Sequence, residues 1–208
     1  MPSASFGTWV HEGFSFIANY LNKFGKIPPK NIWEDIIYEK IKWEILTENE
    51  KKFFLTQAVS VVENYLSKKD CPLLIPAYLV ETNFWGKHVI VEWVPIKWKF
   101  DRVENLPDGT MQVVDFKTGK PNKGREQLAD YERQLYFYRL LWDGSNQNKI
   151  LSRGALDFVE WNTGDTVNRS IFTYDEAGLE LLRKQIAAFK ISLETLDFPE
   201  ENTFTSSL

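Results

Sequence analysis

KFDRVENLPDGTMQVVDFKTGK, residues 99–120, decides how this chain reads. Two runs rich in β-branched and aromatic residues flank Leu106-Pro107-Asp108-Gly109, a turn composition, so the segment predicts a β-hairpin. If Pro107, Asp108 and Gly109 form a three-residue loop with Gly109 in the left-handed conformation, Leu106 pairs with Thr110 and Asp101 faces Asp115 directly. Cβ atoms of opposed residues lie about 4.5–5.5 Å apart, and Lys117 falls two positions further along the same face. Two carboxylates and an ammonium then converge. A two-residue loop at Asp108-Gly109 would shift the register by one and send the aspartates to opposite faces, leaving an exposed hairpin with ordinary cross-strand charge pairs.

Like charges directly opposed destabilise a hairpin, so the three-residue register asks for a counter-charge. Oxygen ligands of this kind suit Mg²⁺, which binds through one or two carboxylates plus phosphate. Such a cation polarises a phosphoryl oxygen and lowers the pKa of a bound water, while Lys117 could hold that water or offset charge in the transition state. The chemistry implied is phosphodiester hydrolysis.

Working outward, residues 73–85 and 88–104 read as two strands separated by Trp85-Gly86-Lys87, and 110–118 completes an antiparallel meander. Residues 125–142 carry Leu128, Tyr131, Leu135, Tyr138 and Trp142 as a helical stripe. Two further strands are expected at 153–161 and 166–173, turning at Asn162-Thr163-Gly164-Asp165, and an amphipathic helix at 175–195 closes the chain. Upstream, Val10, Phe14, Ile17 and Leu21 stripe a helix over 6–24 that Gly25 is placed to end, and 31–46 and 48–68 read as two more. The order predicts an α/β architecture with a mixed sheet of about five strands flanked by helices. Its parts are a helical 1–70, a sheet-containing 71–198 and a tail, 199–208, within one domain.

The 208 residues carry 25 Lys plus Arg against 29 Asp plus Glu, a net charge of -4, which argues against indiscriminate nucleic-acid binding over the whole surface. Lys120, Lys123 and Arg125 nevertheless cluster after the second aspartate, as either a run that tracks a phosphate backbone or a solvated loop. With 43% hydrophobic residues the chain can bury the roughly 70% of its surface expected at this size. The single cysteine, Cys71, excludes an intramolecular disulfide framework and an all-cysteine metal or iron–sulfur site. Apolar runs are broken by charge well short of the ~20 residues that span a bilayer, and no signal-peptide pattern opens the chain. The expectation is a cytoplasmic protein with no membrane partner.

Gly7-Thr8-Trp9-Val10-His11, Glu81, Asp101-Arg102, Val114-Asp115-Phe116-Lys117-Thr118-Gly119 and Gln134-Leu135-x-x-Tyr138 follow one another in an order and spacing that resembles the RecB-type branch of the PD-(D/E)XK nuclease superfamily. The likeness runs from about residue 6 to 198 and is strongest to the nuclease domain at the C-terminus of UvrD/RecB-like helicases. Its most specific parts are Asp-Phe-Lys-Thr-Gly and the following Gln-x-x-x-Tyr. The resemblance implies a restriction-endonuclease-like core and a DNA nuclease dependent on Mg²⁺ or Mn²⁺. It would act on single strands or duplex ends, alongside a helicase in DNA repair or recombination. Asp101, Asp115, the Phe116 carbonyl and His11 would be metal ligands and Lys117 the catalytic lysine, with Glu81, Gln134 and Tyr138 beside them.

On the residues alone these assignments have rivals. His11 reads equally as a structural histidine beside an apolar stripe, and Glu92 competes with Glu81. Gln134 and Tyr138, four apart, share one helix face whether that face meets the hairpin or the core. Trp98 departs from the family, which commonly has glycine three residues before the first aspartate. The cysteine-rich segment of many helicase-linked relatives is missing, so an iron–sulfur cluster is not expected. Gly119-Lys120 is followed by Pro121 and forms no phosphate loop, so a motor would sit on another chain or in a part absent here. The alternative function is a catalytically silent nuclease-fold module that binds DNA or a helicase. Asp101, Asp115 and Lys117 together favour the enzyme, because a silent module has no need of a repulsive carboxylate pair.

Overall fold

Gly109 sets the hairpin register. Its φ of +84° is left-handed, where a side chain is strained, and its N–H donates to the Leu106 carbonyl at 3.0 Å. The Leu106 N–H in turn donates to the Thr110 carbonyl at 2.9 Å. The flanking strands, β4 (Lys99–Asn105) and β5 (Met111–Lys117), pair Asn105 with Met111 through Arg102 with Val114. This is the register of the three-residue loop, and one further step along it sets Asp101 opposite Asp115.

The computed structural model describes residues 3–83, 89–121, 125–145, 147–162 and 164–197. Before the hairpin come α1 (Ser3–Phe24), α2 (Lys30–Ile41), α3 (Glu48–Leu66), a 3₁₀ turn (Pro72–Leu74), and the strands β1 (Leu79–Asn83), β2 (Val89–Val91) and β3 (Val94–Ile96). After it come α4 (Arg125–Gly144), β6 (Leu151–Phe158), β7 (Arg169–Thr173) and α5 (Glu176–Thr195). The main sheet runs β1-β4-β5-β6-β7, with β5 and β6 parallel and the other neighbours antiparallel. This is the mixed five-stranded α/β core that the element order predicts.

Helix ends follow local chemistry. Gly25, at φ +68°, ends α1 as expected. Thr47 and Glu50 form a reciprocal capping box at the start of α3, and the Asp175 side chain caps α5 by accepting from the Gly178 N–H.

Two strand expectations are corrected. The run 88–104 is not one strand: it breaks into β2, β3 and β4, because Glu92 and Trp93 take φ of +48° and +64° and fold β2 onto β3 as a separate two-stranded hairpin. Consequently β1 pairs with β4, skipping the hairpin, and no simple meander forms. In the described part of the run 73–85 only β1 is strand, its start being the 3₁₀ turn, and the predicted turn at 85–87 lies outside the described residues. Smaller differences are that α2 stops at Ile41 rather than 46 and β7 begins at Arg169 rather than 166. Leu128, expected in the α4 stripe, is exposed, whereas Leu135, Tyr138 and Trp142 are buried.

Because successive strand residues face opposite ways, the sheet carries two cores. Val114, Phe116 and Ala155 pack with Trp9, Phe14, Ile37 and Val62 of α1–α3. Val103, Val113 and Leu156 pack with Leu135, Leu141, Leu179 and Leu182 of α4 and α5, where Val89 and Val91 of the small hairpin also lie. Near the first core sits a buried ionic network. Arg169 donates to Asp157 through Nε (2.6 Å) and Nη2 (2.7 Å) and to Glu104 (3.0 Å). Arg102 donates to Glu104 (2.9 Å) and to the Pro72 and Ile75 carbonyls, both at 2.6 Å, and the Tyr65 hydroxyl donates to Asp157. Burial opposes ionisation of Glu104, yet Arg169 and Arg102 hold its carboxyl below the usual range. Removing one partner of such a network strands buried charge, so Arg169→Met should cost about 3–5 kcal/mol, read as the change in urea unfolding free energy.

Candidate active site

The C-terminal end of β5 meets the bend of β1 against β4, the helical turns of α1 around His11 and the first half of α4. Between them lies an open cleft of about 600 Å³ lined by His11, Glu81, Asp101, Asp115, Phe116, Lys117, Gln134 and Tyr138. These are the eight residues singled out in the sequence as catalytic or metal-ligating, brought together from five elements. A close approach makes the corner possible: a Cβ on Gly7 would stand 3.0 Å from the Thr118 hydroxyl oxygen, so α1 can seat against the end of β5.

Asp115 is buried, with both hydrogen bonds to its carboxylate on Oδ1 and an ion pair on Oδ2. Its Oδ1 accepts from Gln134 Nε2 (2.7 Å) and from the Tyr138 hydroxyl (2.8 Å), and its Oδ2 lies 2.6 Å from Lys117 Nζ. Lys117 Nζ also donates to Gln134 Oε1 at 2.7 Å and sits 4.4 Å from the centre of the Tyr131 ring. Gln134 thus uses its carbonyl on the lysine and its amide on the aspartate and tyrosine, which fixes its orientation. The side chain joins the whole group rather than capping a core stripe.

Asp101 accepts from the Phe116 N–H at 2.9 Å and lies 3.4 Å from His11 Nδ1, while His11 Nε2 is 2.9 Å from the Phe116 carbonyl. Glu81 pairs with Lys99. It stands opposite Asp101 in the β1–β4 register, between the Val80–Arg102 and Thr82–Phe100 pairs, with a left-handed φ of 47°. Such backbone is sparsely populated for a non-glycine residue and concentrates at functional sites. Glu92, its rival, is exposed in the turn between β2 and β3.

The electrostatics follow from burial and crowding. Burial, and then repulsion by Asp101, push the Asp115 carboxyl up, against the pull of Lys117 and the Tyr138 hydroxyl. Burial disfavours the His11 imidazolium, but the Asp101 and Asp115 carboxylates and the Phe116 carbonyl overcome it and hold the ring's pKa above its ordinary value. Burial and the two aspartates raise the Tyr138 phenol well above its usual range, so it remains a donor.

His11, Glu81 and Asp101 each offer a ligand atom within 4.8 Å of the others. With the Phe116 carbonyl at hand, the set is oxygen-rich with one imidazole and no thiolate, a composition that fits Mg²⁺ or Mn²⁺. The only cysteine, Cys71, lies elsewhere, buried, with its thiol pushed up to about 12. Of the basic run, Lys120 holds its ammonium 5.0 Å over the Trp161 ring and is not among the residues lining the cleft. Lys123 and the Arg125 side chain lie outside the described residues. Reading the sequence assigns no role to Lys99 and places Tyr131 in a core stripe, yet both line the cleft. Their signal was distance in sequence from Asp101 and Gln134, which is visible only once the motif is placed.

Paired carboxylates and a lysine thus stand at the end of the central hairpin of an α/β core. The chain belongs to the PD-(D/E)XK nuclease superfamily, whose family model matches residues 1–199. No curated protein matches it. No described helix is long and apolar enough to cross a membrane.

Two measurements on the metal-free protein test this electrostatic account. A raised carboxyl pKa means that ionised Asp115 is a liability at neutral pH that protonation relieves. Asp115→Asn should therefore melt no lower than wild type at neutral pH, with its relative advantage shrinking on acidification. The raised His11 pKa has a different reading: its contribution is complete below about pH 6.5 and fades as pH rises through the folded value. His11→Gln should lower the melting temperature at about pH 6 and lower it less at alkaline pH.

Proposed function

We propose that this chain is a metal-dependent deoxyribonuclease of the RecB type, folded as one nuclease domain over 1–208 and working in the cytoplasm with a helicase in DNA repair or recombination. The observation that carries the reading is the convergence of Asp101, Asp115 and Lys117 in one open cleft, with Glu81 and His11 across from them. His11, Asp101, Asp115 and the Phe116 carbonyl would hold Mg²⁺ or Mn²⁺, with Glu81 beside them. A cation bound there supplies the charge that polarises a phosphoryl oxygen and acidifies a water.

The protein's own groups do the rest. Lys117 Nζ, fixed by Asp115 and Gln134, is placed to orient the attacking water and to stabilise charge that builds on the phosphoryl oxygens. Tyr138 and Gln134 both donate to Asp115 Oδ1 and so fix the orientation of its carboxylate. The open shape suits a polymer rather than a small enclosed ligand. A silent DNA-binding module is the weaker alternative, because it leaves a buried, repulsive carboxylate pair without a purpose.

Cleavage of labelled single-stranded DNA, duplex DNA and RNA, with Mg²⁺, Mn²⁺ or chelator, tests the reading. Lys117→Ala should lower turnover by about 10²–10³ while Mn²⁺ affinity holds or rises, since a positive charge leaves the site. Asp101→Ala should weaken Mn²⁺ binding, measured by calorimetry. A Lys117→Ala variant that cuts at the wild-type rate per folded molecule would make the lysine a structural partner and return the silent module to first place.

A further inference from the structure

Trp98 has no part in the chemistry above, yet it stands in the wall of the same cleft with 44% of its surface exposed. An indole that open would ordinarily be mobile, but this one is held at two points. One ring face lies nearly parallel to Phe137, 14° between planes and 6.2 Å between centroids. Its edge is pinned because Nε1–H donates to the Tyr138 hydroxyl at 3.1 Å. That hydroxyl donates to Asp115 Oδ1 at 2.8 Å, so two successive hydrogen bonds separate the indole from the buried carboxylate. The span is comparable with the reach from a phosphate to its own base.

We infer that Trp98 is a nucleobase platform beside the scissile phosphate, stacking on a base of the bound strand. The inference rests on the nuclease reading and adds a base-binding residue to it. A rigid aromatic ring gives contact area at little entropic cost. Every base has a π-face, so stacking on the indole confers no sequence preference. In a duplex that face is covered by neighbouring pairs; only a single strand or a frayed end presents it.

The test is cleavage of single-stranded oligonucleotides in which one abasic residue is moved along the chain, by wild type, Trp98→Phe and Trp98→Ala. Wild type should lose about tenfold in kcat/KM at the phosphate next to the abasic residue, the scale of losing one base stack. Trp98→Phe keeps a ring and should show the same profile. Trp98→Ala should be about tenfold slower on the intact strand and indifferent to the abasic position. A flat abasic profile for wild type overturns the platform whatever the variants do. So does a Trp98→Phe that falls as far as Trp98→Ala, which would make the indole N–H a positioning group for Tyr138. Wild type that cuts no DNA with either metal sinks the nuclease reading, whereas wild type that cuts with a flat profile sinks the platform alone.

Discussion

Three carboxylates crowd one corner of this fold, and each has a basic side chain beside it: Lys99 beside Glu81, His11 beside Asp101 and Lys117 beside Asp115. The constraint behind the pairing is the β4–β5 register, which sets Asp101 opposite Asp115 where burial leaves little solvent to screen them. Without the lysine and the histidine the strand ends would repel. Lys99 and Lys117, and His11 when its ring is protonated, offset that charge. His11 is the most telling of them, because its protonated ring and a metal would compete for the same carboxylate.

The second ionic group, Arg102, Glu104, Asp157, Arg169 and Tyr65, has the opposite character. Its members bond to one another and to backbone carbonyls, crossing from α3 and the 3₁₀ turn to β4, β6 and β7. None of them lines the cleft. A buried network of this kind ties strand to helix beside the corner that holds the unfavourable arrangement of charge. Glu81 shows the cost locally: the β1–β4 pairing resumes in register on either side of it, but the residue itself takes a left-handed backbone.

Much of the site was legible in the sequence because its parts are local. A turn containing Pro107-Asp108-Gly109 specifies a register, and a register specifies which residues oppose each other, so Asp101, Asp115 and Lys117 could be grouped from 22 consecutive residues. The four-residue spacing of Gln134 and Tyr138 likewise fixes a shared helix face. The helical stripes of α1, α4 and α5 and the count of strands in the main sheet follow from periodicity.

What the sequence left open was decided by long-range packing. The turn at Glu92-Trp93 has none of the usual turn residues and adopts positive φ only because β2 and β3 fold together against α4 and α5, so the run 88–104 reads as continuous strand until the fold exists. That insertion brings β1 beside β4, and with it Glu81 rather than Glu92 to the cleft. His11 and Phe116 are 105 residues apart, and nothing in periodicity indicates that an imidazole on α1 will meet the carbonyl between the two motif residues. In sequence Lys99 carries no signal, Tyr131 reads as part of a helical stripe and Trp98 only as a departure from the family's glycine. Only the tertiary arrangement makes them the wall, the counter-charge and the ring beneath the lysine, because local periodicity encodes faces but not which faces meet.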